Sequence, residues 1–540
     1  MRASESALEL RAPSRGVSIP TLDRVAWSCA AALLAVHAGL LWRYAVDWPL
    51  HDDFTQILAI PGYLAQLPTL SEKVALLTGL ALEHRAATIR VAGWIASALP
   101  GGIDFAALIA TGNALAIGAG VITLFAYPRE YRALAALLAA VLLTSVTHYA
   151  AQYHATGALQ HFGVAFYATA ALFALARGHR LLPAALAVAA VFTSASGLLL
   201  MTCAAVLSAL QRRSRDAIAW AVVSVVVMAA YFGGYEGAAG ASAIGSLMTN
   251  PLHLLMLGFG ALGCIGYTLN ASVVIGVALV MAWGGLLASN AWRRVPPFIV
   301  AATLFFALAS AAIAVGRAGL GVDAVLISRY RIGSALIVLF TLSALAWTLS
   351  ATVFRTVQAT TIVAAAALYW LAWQAVMPSL VDLSMMQRAM RDHYAVEGSA
   401  TYEGYTKAFG DFTLGRARER GYYRGMERAN PPARVIAAMP PTTPASGPFN
   451  SIVHRGERVV SARGWLMGRH PAVVVWLHDD ARAFRADTVT SGYRGPAMKR
   501  RTAFRATVDL DGIPAGRYRI GIAGREDSGV HWTADYVDVR

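Results

Sequence analysis

Lysine is nearly missing from this chain of 540 residues, where Lys73, Lys407 and Lys499 are the only three. The net charge of +15 therefore rests on arginine, whose guanidinium stays protonated wherever it is placed. Charge of either sign is scarce, at 14 % of residues against 57 % apolar, and the mean hydropathy is +0.53. These values exclude a soluble domain of this length and imply a polytopic α-helical membrane protein. Cysteine is equally sparse: Cys29, Cys203 and Cys264 fall in apolar stretches without paired spacing. A disulfide framework and a thiolate metal motif are thereby excluded, and the three thiols read as small apolar packers. The excess of arginine suits phosphate or anionic lipid headgroups as partners and no nucleic acid, although basic loops also serve membrane topology alone.

The first long apolar run spans Val25 to about Ala45, after a polar and basic tail over residues 1–24. It is too long for a cleaved signal and lacks a small-residue cleavage site, so it reads as an anchor with a cytoplasmic N-terminus. Placing the arginine-rich connections on the inner side then threads the chain: Arg129 to Arg132, Arg177 to Arg180, Arg212 to Arg215, Arg293 with Arg294, and Arg355. The spans expected are 25–45, 104–126, 133–149, 162–176, 181–195, 197–210, 217–235, 273–290, 297–315, 333–351 and 357–377, about 11 in all. Residues 252–270 break the alternation if counted and read as a re-entrant or outer helix. In a bacterium this puts the first loop, 46–103, and the C-terminus in the periplasm of an inner-membrane protein.

After Pro378 the long apolar runs stop. The expected organisation is a transmembrane domain over 25–380, a connecting segment with a proline-rich linker over 381–445, and a periplasmic β-sandwich over 446–540. The last part rests on period-two alternation in short pieces, such as Val459 to Trp465 and Ala503 to Leu510, separated by Gly, Pro and Asp turns.

Three outer clusters carry the residue types of chemistry. Asp52 and Asp53 follow the first span, between Trp48-Pro49-Leu50-His51 and Phe54. A carboxylate there suits a general base on an acceptor hydroxyl, and a helix cap is the plain alternative. Glu83, His84 and Arg85 follow in the same loop with Arg90, on a segment that reads as amphipathic helix at the membrane surface. Arg317, Arg329, Tyr330 and Arg331 share one late outer loop with several glycines, against the usual charge bias of such loops; a phosphate is the simplest reason. His148, His154 and His161, beside Gln152 and Tyr153, read as lining a polar outer cavity or sitting at the interface, and no metal site is expected from them.

This ordered set resembles the GT-C superfamily of bacterial membrane glycosyltransferases, including the arabinofuranosyl- and mannosyl-transferases. The likeness rests on Asp52-Asp53-Phe54 after the first span, Glu83-His84-Arg85, the segments with Gly316-Arg317 and Ser328-Arg329-Tyr330, and a C-terminal outer domain. It covers about the first 380 residues. It implies a polyprenyl-phosphate-linked sugar as donor, inversion by direct displacement, Asp52 or Asp53 as base, and arginines bracing the lipid phosphate. The acceptor would be a glycan, lipid or protein; the need for a divalent metal stays open. No glycine-rich nucleotide loop is present, which favours an activated lipid over a nucleotide sugar. A transporter or flippase of a lipid-linked anion would use the same arginines, and is the alternative reading.

Overall fold

A computed structural model of the chain describes residues 20–80, 84–232, 251–317, 325–400, 406–437, 443–445, 449–468, 470, 472–479, 481–490, 501–525 and 529–540. Among these residues, nine helices are long and apolar enough to cross a membrane. They are Thr21–Tyr44, Phe105–Leu124, Arg129–Gln152, Ala155–Ala176, Ser214–Phe232, Leu269–Ala288, Pro297–Gly316, Ser328–Thr348 and Ala351–Glu397. Each coincides with one expected span, and together with the β-rich C-terminus they give the architecture of a multi-pass membrane protein. Spans 181–195 and 197–210 differ: they are the shorter helices Leu181–Val191 and Ala195–Leu210. Eleven residues rise only ~16 Å, about half of a bilayer's apolar core. The hairpin between them turns so tightly that a Cβ on Gly197 would lie 2.2 Å from the Ala190 carbonyl oxygen. Segment 252–270 is a helix, Pro251–Leu262, folded back by a turn at Cys264–Gly266 onto Leu269–Ala288.

Hydrogen bonds between distant loops sort the helix ends into two groups. At one end, Thr88 N donates to the Phe192 carbonyl (3.1 Å), Arg85 N to the Tyr231 hydroxyl (3.1 Å), and Ile265 N to Ser334 Oγ (3.2 Å). At the other, Trp347 Nε1 and Ser343 Oγ both donate to the Ala126 carbonyl, and Arg213 Nη1 to that of Leu175. The ends alternate in the order that the arginine-rich connections predict. Those connections gather at the second end, and the first loop lies at the first.

The first loop builds a core of its own above the bundle. Trp48, Phe54, Ile57 and Ile89 pack with Phe105, Met386, Met390, Leu414 and Tyr423, all buried. About a third of this core comes from the far end of the chain, from Met386 to Tyr423. Helix Ala351–Glu397 runs for 47 residues through Pro378, so the expected boundary near 380 marks a change of composition within one helix. At ~1.5 Å per residue it is about 70 Å long, and its last part projects past the bundle to meet the first loop. There Gln387 Nε2 donates to the Trp48 carbonyl (3.3 Å), and helix Lys407–Glu419 covers the other side.

The C-terminal strands are β1 Ile436–Ala437, β2 Thr443–Pro444, β3 Phe449–Arg455, β4 Val459–Met467, β5 Val473–His478, β6 Ala483–Asp487, β7 Val489–Thr490, β8 Arg501–Asp509, β9 Gly516–Gly524 and β10 Gly529–Val539. They form a sheet ordered β1-β6-β5-β9-β10-β2 and another ordered β3-β4-β8-β7. Alternate residues of both face one core, with Val460, Ala462 and Leu466 opposite Val473, Val475 and Leu477, as a β-sandwich requires. The second sheet docks on the end of the long helix through polar groups. Asp392 pairs with Arg505, His393 Nδ1 lies 2.9 Å from Ser461 Oγ, and the Glu397 carboxylate accepts from the backbone N–H groups of Glu457, Arg458 and Val459. Because Asp392 is buried, Arg505→Ala should cost about 3 kcal/mol and loosen the docking. Limited proteolysis near residues 430–448 should then release the sandwich, whereas an unchanged digestion pattern would mean that the ion pair is dispensable.

Candidate functional site

The chain leaves the first span at Tyr44, and an extended segment with Val46, Trp48 and Leu50 buried leads to a turn at His51, whose φ of +43° is left-handed. This turn separates the two aspartates. Asp53 is 1 % exposed and does not cap the π-helical turn Phe54–Leu58 that follows it. Its Oδ2 accepts from Leu50 N (3.0 Å), and its Oδ1 accepts from both N and Oγ1 of Thr156, each at 2.7 Å. The carboxylate thus caps, from another segment, the helical run that begins at Ala155. His154 completes the group. Its Nε2 lies 3.2 Å from Asp53 Oδ1 and 2.9 Å from the Leu50 carbonyl oxygen, so this nitrogen carries the proton and donates to both.

Burial works against the ionised Asp53, yet the His154 imidazolium and the Thr156 donors outweigh it and hold the carboxyl below the usual carboxylate range. For His154, burial opposes the charge, and Asp53 more than reverses this and raises the imidazole above its ordinary value. Asp52 has the opposite setting: it is half-buried, and among the described residues no hydrogen bond or ion pair occupies its carboxylate. It lies within electrostatic reach of His154.

A second set of groups meets at His161, which sits in the π-helical turn Ala158–Phe162. Its ring meets Tyr330 edge-on, with centroids 5.7 Å apart, and Arg329, Arg317, His84 and His154 are all within its electrostatic reach. The Arg329 guanidinium stands over the Tyr330 ring at 5.3 Å, and its buried Nε has no hydrogen-bond partner among the described residues. His84 Nδ1 accepts from Ala195 N (3.4 Å) at the turn of the short hairpin. π-Turns are rare and concentrate at functional sites; two of them here follow Asp53 and His154 within a few residues.

The expected site residues thus divide. The structure gathers Asp52, Asp53, His84, Arg317, Arg329 and Tyr330 around His154 and His161. Arg85 is turned elsewhere: it donates to the carbonyls of Thr78 and Tyr231 and stacks over the Tyr231 ring. Arg331 is buried, with its donors on the carbonyls of Thr147 (2.6 Å) and Leu326 (2.9 Å). Arg90 likewise caps the C-terminal carbonyls of helix Leu70–Thr78 and reaches Gln56 Oε1 at 2.9 Å. Glu83 lies outside the described residues. Thr156 is the residue that the sequence did not single out, and His154 and His161, expected only to line a polar cavity or sit at the interface, are the groups around which the site is built. His148 points inward to the Leu142 carbonyl. Among the described residues no cluster of His, Cys, Asp and Glu has the make-up of a metal site. A cavity beside Gly62, Tyr63 and Arg416 has a volume of 10 Å³, enough for one water, and is not part of this constellation.

Comparison with protein-family models, with curated proteins and with solved structures found no match to this chain.

The Asp53–His154 pair has a definite pH signature. A lowered carboxyl contributes stability above its unfolded value of ~4, and this is lost as pH falls through the folded value. A raised imidazole contributes below ~6.5, and this is lost as pH rises through its folded value. Asp53→Asn should therefore lower the melting temperature most between about pH 4 and 6.5 and less at higher pH, while Asp52→Asn leaves it unchanged. Equal effects of the two variants across this range would refute the assignment.

Proposed function

We propose that this chain is a membrane glycosyltransferase that moves a sugar from a polyprenyl-phosphate donor to an acceptor at the first-loop end of the bundle. The observation that carries the reading is the buried, unpartnered Nε of Arg329 beside His161, Arg317 and His84. The two arginines make a cationic spot beside His161, whose electrostatic reach extends to His154, and His154 in turn lies within reach of Asp52, whose carboxylate has no partner among the described residues. A phosphate oxygen would satisfy the Arg329 donor, and arginine binds phosphate with a fixed fork of N–H groups.

Asp52 is the base in this reading. It takes the proton of the acceptor hydroxyl as that oxygen forms a bond to the anomeric carbon. The bond from that carbon to the donor phosphate oxygen breaks, and its electron pair leaves with the phosphate, whose growing charge meets Arg329 and Arg317. One displacement inverts the anomeric centre, and no carboxylate nucleophile is required. Asp53, buried with its Oδ1 taken by Thr156 and His154 and its Oδ2 by Leu50, positions the turn and does not touch substrate. In a bacterium the site end would face the periplasm, with the N-terminus in the cytoplasm and the β-sandwich beside the acceptor. The acceptor is a glycan, lipid or protein.

The alternative, a transporter or flippase of a lipid-linked anion, would place ionisable groups through the depth of the spans. The buried ones of the described spans, His37, His148, Arg331, Arg391, Asp392 and His393, all lie toward the site end. The deepest, His37, is seven residues from the end of its helix, ~10 Å in. This favours the transferase.

With a panel of labelled polyprenyl-phosphate pentoses and hexoses, Asp52→Asn should lower transfer by at least ~100-fold without loss of folding. Arg329→Gln should raise KM for the donor about tenfold, the loss of one charge-assisted bond. Full transfer by Asp52→Asn would end the proposal.

A further inference from the structure

A separate accumulation of arginine lies where the first span meets the β-sandwich. Arg43 is in the last turn of that span, Arg388 and Arg391 stand one turn apart on helix Ala351–Glu397, and Arg505 comes from β8. Arg388 Nη2 donates to the Arg43 carbonyl, so the two residues are adjacent. Arg388 is also within electrostatic reach of Arg505, Arg391 and Asp392.

The nearby acids are already engaged. Asp392 pairs with Arg391 (3.3 Å) and Arg505 and accepts from N and Nδ2 of Asn430. Asp47 accepts from Phe105 N and pairs with Arg428 (3.4 Å); Asp382 pairs with Arg463 (3.2 Å); Glu397 is taken by three backbone N–H groups. Arg43 and Arg388 are left without a carboxylate partner among the described residues. Two adjacent cations in this state repel one another, and the arrangement calls for an anion.

The location says which kind. Trp42 is 92 % exposed, one residue before Arg43, at the end of a helix of membrane-spanning length. A tryptophan exposed at a span's end sits at headgroup depth, where lipid phosphates are found. We propose that Arg43 and Arg388 form a site for the phosphate of an anionic phospholipid, with Trp42 lying against the upper part of its acyl chains. Both guanidinium groups can engage the phosphate oxygens, as a point-charge ammonium cannot with the same geometry. The bound lipid ties the first span to the long helix and hence to the sandwich. The proposal does not depend on the transferase reading.

The test is native mass spectrometry of the full chain, released from micelles holding phosphatidylglycerol, phosphatidylcholine or inorganic phosphate. The wild type should retain phosphatidylglycerol and neither of the others. Arg43→Gln with Arg388→Gln should reduce the retained phosphatidylglycerol at least tenfold. Arg43→Lys with Arg388→Lys, which keeps the charge and loses the fork, should reduce it about threefold, and this variant decides the matter if the neutral one does not fold. Undiminished retention by a folded variant would overturn the proposal, as would equal retention of phosphatidylcholine or displacement of the lipid by inorganic phosphate.

Discussion

One buried carboxylate fixes the relation between the first loop and the bundle. Asp53 gathers donors from Leu50, Thr156 and His154, so that the turn after the first span is tied to the point where the fourth long helix begins. A carboxylate can be buried at 1 % exposure only if such donors surround it, and here they come from two segments a hundred residues apart in sequence. The consequence for the neighbouring residue is geometric: with Asp53 turned inward and His51 in a left-handed conformation, Asp52 is left at the edge of the turn with no partner for its carboxylate among the described residues.

The arginines divide along the same line. Arg85, Arg90 and Arg331 spend their N–H groups on backbone carbonyls, and each closes a helix end or loop at the rim of the site. Arg317 and Arg329 instead surround His161. Room for this arrangement comes from the short hairpin Leu181–Val191 and Ala195–Leu210. Its turn meets the segment from His84 to the start of helix Ala87–Ala98, which is bonded to Phe192 and Ala195.

Much of the fold could be read from the chain because a bilayer imposes simple requirements. Long uncharged runs such as Phe105–Leu124 must be helical, and arginine-rich connections mark alternate ends, so nine helices fall where hydropathy puts them. The alternation of Val459 to Trp465 likewise announced the sandwich. Hydropathy could not distinguish a short hairpin from two spans, because alanine and leucine fill both. Nor could it see that Ala351–Glu397 continues through Pro378, since its outer half is held by tertiary contacts with the first loop and β4. At the site, the acidic pair and the late arginines stood out as charges in the wrong place. What separated Asp52 from Asp53, and Arg329 from Arg331, was direction, which depends on hydrogen bonds to Thr156 and Thr147 that no local pattern encodes.

The most direct measurement is an electron cryo-microscopy structure of the protein with polyprenyl phosphate bound. The account requires density for the phosphate between Arg329 and His161, with its oxygens within ~3 Å of the Arg329 N–H groups and Asp52 facing the same space. A phosphate bound away from Arg329, with Asp52 directed to a separate surface, would contradict it.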